Sequence, residues 1–235
     1  MKPSTIETLC NICGGIIMGV VFAAMLVYSI PNHAAEFEIG VGQTQFTPSD
    51  AGIWWQRGLP HHIETESRSL ELGITDKFTD SLRWRASYLY LGEVNTWAVA
   101  TTDKDYTGGG CRANPCEANN TYIGRGVVEG FKFSLAHEWV VGNNVKLFLE
   151  GGVYAFLARF HMTVLGSSGT ETKVYFDKSR KDLWAIKPMI GAGVEYNKWQ
   201  LSFSGYAVDP WSEDGDTVPN FTGYAYNLTL RKLFN

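Results

Sequence analysis

The chain has 235 residues, 45% of them hydrophobic, 14% aromatic and 19% charged, with a formal net charge of −4. That length allows one domain or at most two, and the low charge and many aromatics exclude a disordered chain. The mildly acidic balance argues against a nucleic-acid binder, which presents a basic patch or stripe, and 4 cysteines are too few for a disulfide-stapled mini-protein.

Residues 1–35 read as an export signal. Lys2 supplies a positive start, weakened by Glu7, and an uncharged, mostly apolar run follows from Leu9 to Ile30. Pro31 ends that run, and Asn32-His33-Ala34-Ala35 offers small residues for cleavage after Ala34 or Ala35. The competing reading is an uncleaved transmembrane anchor, because the run approaches the length of a bilayer-spanning helix. Cys10 and Cys13 lie inside the signal and lack both a lipobox and the flanking fold of a redox or zinc site.

From Glu36 to the end, 36–235, the chain reads in twos, the period of a strand whose two faces differ. Phe37, Ile39 and Val41 oppose Glu38, Gly40 and Gly42. Leu70, Leu72 and Ile74 oppose Ser69, Glu71 and Gly73. Leu82, Trp84, Ala86, Tyr88 and Tyr90 oppose Arg83, Arg85 and Ser87. Phe131, Phe133 and Leu135 oppose Lys132 and Ser134, while Leu147, Leu149, Val153 and Leu157 oppose Lys146, Glu150 and Gly152. Trp184, Ile186, Ile190, Ala192 and Val194 oppose Lys187, Gly191, Gly193 and Glu195. Trp199, Leu201 and Phe203 oppose Gln200, Ser202 and Ser204, and Tyr224, Tyr226, Leu228 and Leu230 oppose Ala225, Asn227, Thr229 and Arg231. Glu129 shares the parity of Phe131, which asks for a bulge there or a position above the hydrocarbon.

These eight predicted strands are joined by connections that alternate in length. Long ones fall at about 47–62, 93–120, 161–182 and 208–220, and short ones at Thr75–Asp80, Val141–Asn144 and Asn197-Lys198. Such sorting suits an outer-membrane barrel, with short periplasmic turns and longer surface loops. Aromatics gather at both strand ends: Trp84, Trp139, Tyr196, Trp199 and Phe234 at one, and Tyr88, Tyr90, Phe156, Phe160, Trp184, Trp211 and Phe221 at the other. Aromatic girdles belong at bilayer interfaces. In hydrocarbon every backbone N–H and C=O must pair within the protein, so strands can span only as a closed barrel.

The C-terminal run from Tyr224 to Asn235, with its alternate apolar residues and near-terminal Phe234, resembles the assembly signal of small outer-membrane barrels. The mature chain as a whole resembles the eight-stranded type found in OmpX, OmpW and the OmpA transmembrane domain. Asn235 after the aromatic and Lys232 on the apolar face depart from that pattern, and Lys232 is expected to snorkel. The resemblance implies an all-β, eight-stranded antiparallel up-and-down transmembrane barrel in the bacterial outer membrane. The partners it implies are outer-membrane lipid and lipopolysaccharide, the barrel-assembly machinery and an extracellular ligand or host surface.

The inward set expected from this register is Glu38, Glu71, Arg83, Arg85, Lys132, Glu150, Lys187, Glu195 and Arg231. Buried charges must pair, and eight strands leave a lumen that side chains just fill. A salt-bridged polar plug follows, with ion selectivity or a gate as the alternative.

Cys111 and Cys116, beside Gly108-Gly109-Gly110, are expected to form a local disulfide in an oxidising compartment. His61, His62 and His161 are the only candidate general bases near the outer rim, and the His-x-Ser spacing of deacylase-type barrels is absent. Solvated loop histidines are the plainer reading, and no metal or cofactor is expected. Asp209–Asp216 is acidic but lacks calcium-loop spacing, so it reads as a solvated tip. The leading expectation is a non-enzymatic surface or structural barrel whose loops, with Trp54-Trp55, meet the environment. A narrow OmpW-like channel for small or apolar molecules and a lipid-A-modifying enzyme are the alternatives.

Overall fold

The computed structural model describes residues 35–47, 61–102, 118–165, 171–174, 184–208 and 223–234. In chain order the strands are β1 (Glu36–Thr47), β2 (His61–Glu64), β3 (Glu66–Lys77), β4 (Leu82–Thr102) and β5 (Ala118–Gly142). They continue as β6 (Val145–Leu165), β7 (Glu171–Val174), β8 (Trp184–Tyr196), β9 (Trp199–Ala207) and β10 (Tyr224–Phe234).

Eight of them form a ring. The order β4-β3-β1-β10-β9-β8-β6-β5 is closed by pairing of β4 with β5, and every pair is antiparallel. The seam between the chain's two ends runs without a break from Phe37↔Phe234 to Thr47↔Tyr224. Closure leaves no strand edge in the ring, the condition for crossing hydrocarbon with strands.

The short connections all lie at one end. Phe78 donates its N–H to the Leu82 carbonyl at 2.7 Å across the β3–β4 turn. Asn197 and Lys198, with φ of 47° and 65°, make the two-residue turn whose twist matches a β-hairpin, and Asn144 has φ of 63° in the β5–β6 turn. Asparagine tolerates this left-handed backbone better than most residues.

The alternation read from the sequence sorts most side chains as expected, although Trp84, expected in the turn-end girdle, and Ala86 and Leu157, expected on the outward face, are buried. Ile39, Val41, Leu70, Leu72, Leu135, Leu147, Leu149, Ile186, Ile190, Leu201, Leu228 and Leu230 are all exposed on the outer wall. Phe37, Phe234, Trp139, Tyr196 and Trp199 ring the turn end, and Trp184, Tyr224 and Tyr226 lie higher. Phe131 packs between Tyr88 and Trp184, at ring separations of 5.8 and 6.3 Å. A continuous apolar wall bounded by aromatics is the surface of a barrel that crosses a membrane. Lys232, on this wall, lays its ammonium 4.8 Å from the centre of the Trp199 ring, which spares the charge from lipid.

Three further expectations change. Strands β4, β5 and β6 have 21, 25 and 21 residues, so much of the connections expected at 93–120 and 161–182 is strand. About 9–11 tilted residues span a bilayer, so these three rise past it on one side. With β2 paired to β4 and β7 to β6, they form a protruding sheet ordered β2-β4-β5-β6-β7.

The bulge expected near Glu129 lies in the opposite strand. β5 pairs without a break through Glu129, while β4 shifts register between Tyr90 and Gly92. Gly92 has φ of 107°, and a Cβ there would collide with Ser67 Oγ. That hydroxyl accepts the Glu93 N–H at 2.8 Å in place of the lost ladder bond. The bulge also swaps faces: Leu89 and Leu91 are buried below it, and Val94 and Thr96 above it.

Phe156, expected in the outer aromatic girdle, is wholly buried in the lumen. It shares the inward parity of Glu150 and Tyr154 along β6, and a side chain of that parity cannot reach lipid.

Candidate functional site: a two-part lumen and the loop-end rim

The inward faces fill the lumen in tiers. Nearest the turns, Arg83 Nη1 lies 2.7 Å from Glu36, its Nε 2.6 Å from Glu138, and Nη2 4.0 Å from Glu195. Lys146 bridges Glu138 and Glu195 at 3.3 and 3.1 Å.

The next tier is wholly enclosed. Glu150 takes Arg85 at 3.0 Å, Lys132 at 3.0 Å and Arg231 at 3.7 Å. Glu71 takes Arg231 at 2.6 Å and also pairs with Lys132. Ser87 donates to Glu71 at 2.8 Å and Ser134 to Glu150 at 2.5 Å. Glu38 lies 3.4 Å from Arg85 Nε. Gln200 ties the tiers together: its Oε1 accepts from Arg85 at 2.5 Å and its Nε2 donates to Glu195 at 2.6 Å. Arg85 also sits 5.0 Å from the centre of the Phe148 ring. Here Glu38, Glu71 and Glu150 face Arg85, Lys132 and Arg231, so formal charge cancels. That match is what lets charges stay ionised away from water.

Above this cage the lumen is apolar, where the sequence reading had a polar core throughout. Phe46, Leu89, Leu91, Val94, Val128, Tyr154, Phe156, Met189, Tyr206 and Val208 form one buried cluster. Tyr154 stacks on Phe156 with ring centres 5.2 Å apart, meets Tyr206 edge-on at 5.4 Å, and donates its hydroxyl to the Leu89 carbonyl at 2.9 Å.

Of the expected inward charges, the structure brings together Glu38, Glu71, Arg83, Arg85, Lys132, Glu150, Glu195 and Arg231. Lys187 also faces inward but lies level with Tyr154, beside the apolar cluster, and makes no ion pair among the described residues. Sequence reasoning missed Glu36 and Glu138, although each continues an inward parity by two to four residues beyond a predicted strand. It also missed the apolar tier, whose signal was runs apolar on both parities: Leu89-Tyr90-Leu91 and Tyr154-Ala155-Phe156-Leu157.

On the outer wall, polar clusters mark where the apolar band ends. Glu129 accepts from the Tyr88 hydroxyl at 2.7 Å and pairs with Arg159 at 2.7 Å. Higher up, Glu93 accepts from Tyr90 at 3.0 Å and from Arg125 Nε at 2.8 Å. The Arg125 hydrogen bond holds the Glu93 carboxyl below its ordinary pKa.

The three candidate histidines lie on two different strands. His61 and His62 pair with Ala98 and Trp97, whereas His161 pairs with Arg125 across the protruding sheet. β2 and β6 are separated in the sheet by β4 and β5, about three strand spacings or roughly 14 Å of backbone. No cluster of three or more metal-capable side chains occurs among the described residues. Cys111, Cys116, Trp54-Trp55, the acidic tip and residues 1–34 of the expected signal lie outside the described residues.

No family model matches the chain, and no curated protein matches it. Among solved structures it is similar to Neisserial surface protein A, with a TM-score of 0.39 and 10% identity over 86% of this chain and 99% of that one. It is similar to the outer membrane protein OprG from Pseudomonas aeruginosa, with a TM-score of 0.41 and 16% identity over 86% of this chain and 97% of that one. It is also similar to Ail, the attachment invasion locus protein of Yersinia pestis, solved with a heparin analogue, sucrose octasulfate. That likeness has a TM-score of 0.34 and 11% identity over 85% of this chain and 97% of the other.

Proposed function

We propose that this chain is a non-enzymatic surface barrel of the bacterial outer membrane. Its lumen is closed, and its working surface is the protruding β2-β4-β5-β6-β7 sheet with the loops at that end. The filled lumen carries this reading: an ion-paired cage and an apolar tier are stacked in series, leaving the outside of the protein as the place of interaction. The lipid-facing wall supports insertion, and the sorted turns and loops support placing the loop end outside the cell. Lipid and lipopolysaccharide surround the wall, the assembly machinery receives the C-terminal strand, and an extracellular ligand or host surface meets the sheet. Residues 1–35 serve as the export signal, and Cys111–Cys116 closes a surface loop.

Purified protein in a planar bilayer is expected to show no stable conductance. Reproducible channels would contradict the closed lumen. Lipid A from cells with and without the protein is expected to have the same mass, and a lost or gained acyl chain would move the reading to an enzyme.

One observation favours a second reading, a narrow route for small apolar molecules. The pairing of β3 with β4 stops at Leu70↔Tyr90, and that of β2 with β4 resumes only at Glu64↔Asn95. Leu89, Leu91 and Val94 of the apolar tier lie behind this interruption. Faster entry of an apolar dye into vesicles carrying the protein would favour this reading, and equal entry would remove it.

A further inference from the structure

The lipid-facing wall does not stop where a bilayer does. On β5 the stretch 129–139, from Trp139 at the turn end up to Glu129, already spans a bilayer, which takes about 9–11 tilted residues. Glu129 also lies in the last closed row of the ring. It pairs with Tyr90 and Leu157, and there β3 leaves β4 at Leu70↔Tyr90 and β8 leaves β6 at Leu157↔Trp184. Above that row the outward face continues, because β5 and β6 keep their register unbroken from Val140 up to Thr121.

Three rows of outward residues follow. Glu93 and Arg159 belong to the first, Glu64, Asn95 and Arg125 to the second, and Trp97 and Ile123 to the third. Val94, Thr96 and Val128, of the opposite parity, are buried. The first two rows are polar. Glu93 holds Arg125 and Glu129 holds Arg159, yet the arginine side chains stay 59 and 52% exposed. Asn95 donates to Glu64 at 3.1 Å. The third row is apolar again: Trp97 and Ile123 are cross-strand neighbours, 39 and 44% exposed.

Height decides what can cover that pair. Rows lie two residues apart, about 6.7 Å along a strand and about 4.7 Å in height at a tilt near 45°. Trp97 and Ile123 therefore stand roughly 14 Å above Glu129. The headgroup layer on one side of a phospholipid bilayer is about 5–8 Å thick, so it reaches Arg159 and stops short of Trp97. A lipid that carries sugars above its phosphates reaches both levels. Sugar rings offer a C–H face that packs on an indole, and hydroxyls that amides, carboxylates and guanidiniums bind. Here the indole stands directly above Asn95, Glu64 and Arg125.

We propose that the outer face of the protruding sheet is a docking surface for the sugar portion of lipopolysaccharide in the same leaflet. A core sugar stacks on Trp97 beside Ile123, and the polar row below takes its hydroxyls. Arg159 and Arg125, steadied by Glu129 and Glu93, lie nearest the level of the lipid phosphates. The surrounding lipids thus clad this face, and an external ligand meets the sheet's tip and the loops. This deepens the surface-barrel reading and rests on it.

The test uses the full chain in detergent micelles and three probes: lipopolysaccharide with its core sugars, lipid A without them, and phosphatidylglycerol. The Trp97 indole N–H, identified in NMR spectra by its loss in Trp97→Phe, is expected to shift with the first probe and with neither of the others. A signal unmoved by the first, or moved as far by the other two, would overturn the proposal. Trp97→Ala with Ile123→Ser is expected to weaken binding of core-bearing lipopolysaccharide about tenfold, equal to roughly 1.4 kcal/mol, and to leave lipid A binding unchanged. Equal binding of core-bearing lipopolysaccharide by a variant that folds by gel mobility would also overturn it. Should the variant not fold, the indole signal of the unaltered protein decides. Ion channels formed by the intact protein would contradict the closed lumen, while the indole signal still decides the docking surface.

Discussion

The two halves of the lumen solve the same packing problem with opposite chemistry. Towards the turns, long charged side chains reach across the barrel and meet a partner from another strand, as Arg85 meets Glu150 and Arg231 meets Glu71. Towards the loops, Leu89, Tyr154 and Phe156 fill the same cross-section without charge. Ion pairs are directional and fix which strands face each other, whereas apolar packing excludes water. In the closed-lumen reading, the cage sets register and the apolar tier makes the seal.

Removing Glu150 should break this contrast most sharply. Arg85, Lys132 and Arg231 all lose a shared partner, and stranding buried charge typically costs about 3–5 kcal/mol. Urea unfolding of Glu150→Ala in vesicles measures it, and a loss below about 1 kcal/mol would show that water already serves these cations.

Phe156→Ala is expected to cost about 3 kcal/mol from lost contacts and the cavity left behind. Its larger signature is functional, because it thins the seal while Glu150→Ala does not. Finding the seal unchanged in the first and broken in the second would reverse the roles given to the halves.

A double-mutant cycle on Glu71 and Arg231 should return a coupling of about 2 kcal/mol, since the pair is dry and close. Arg159→Ala tests the outer wall by contrast. Its pair with Glu129 is half in solvent, and the expected loss is under about 1 kcal/mol, falling further with added salt.

Much of this was legible because a strand's period is two and one face of a membrane barrel must be apolar. Ile39, Leu72, Leu149 and Leu230 announced the outer wall, and their neighbours Glu38, Glu71, Glu150 and Arg231 announced the cage. Above the cage both faces turn apolar, lipid on one side and the packed lumen on the other, and alternation vanishes. That is why Phe156 read as a girdle residue and why β4, β5 and β6 seemed to end early. The Gly92 bulge was hidden for a related reason, since Leu89-Tyr90-Leu91 offers no parity to shift. Which cation meets which carboxylate depends on strands far apart in sequence, such as Arg85 and Glu150, and period-two reasoning carries no information about that.

Orientation of the side chains is the central claim, and β10 tests it most directly. Spin labels placed singly along 224–234, in a chain freed of its native cysteines and reconstituted in vesicles, would report oxygen from the lipid phase. The account predicts high collision rates at Tyr226, Leu228 and Leu230 and low rates at Asn227, Thr229 and Arg231. The reverse alternation, or water access at the first set, would contradict it.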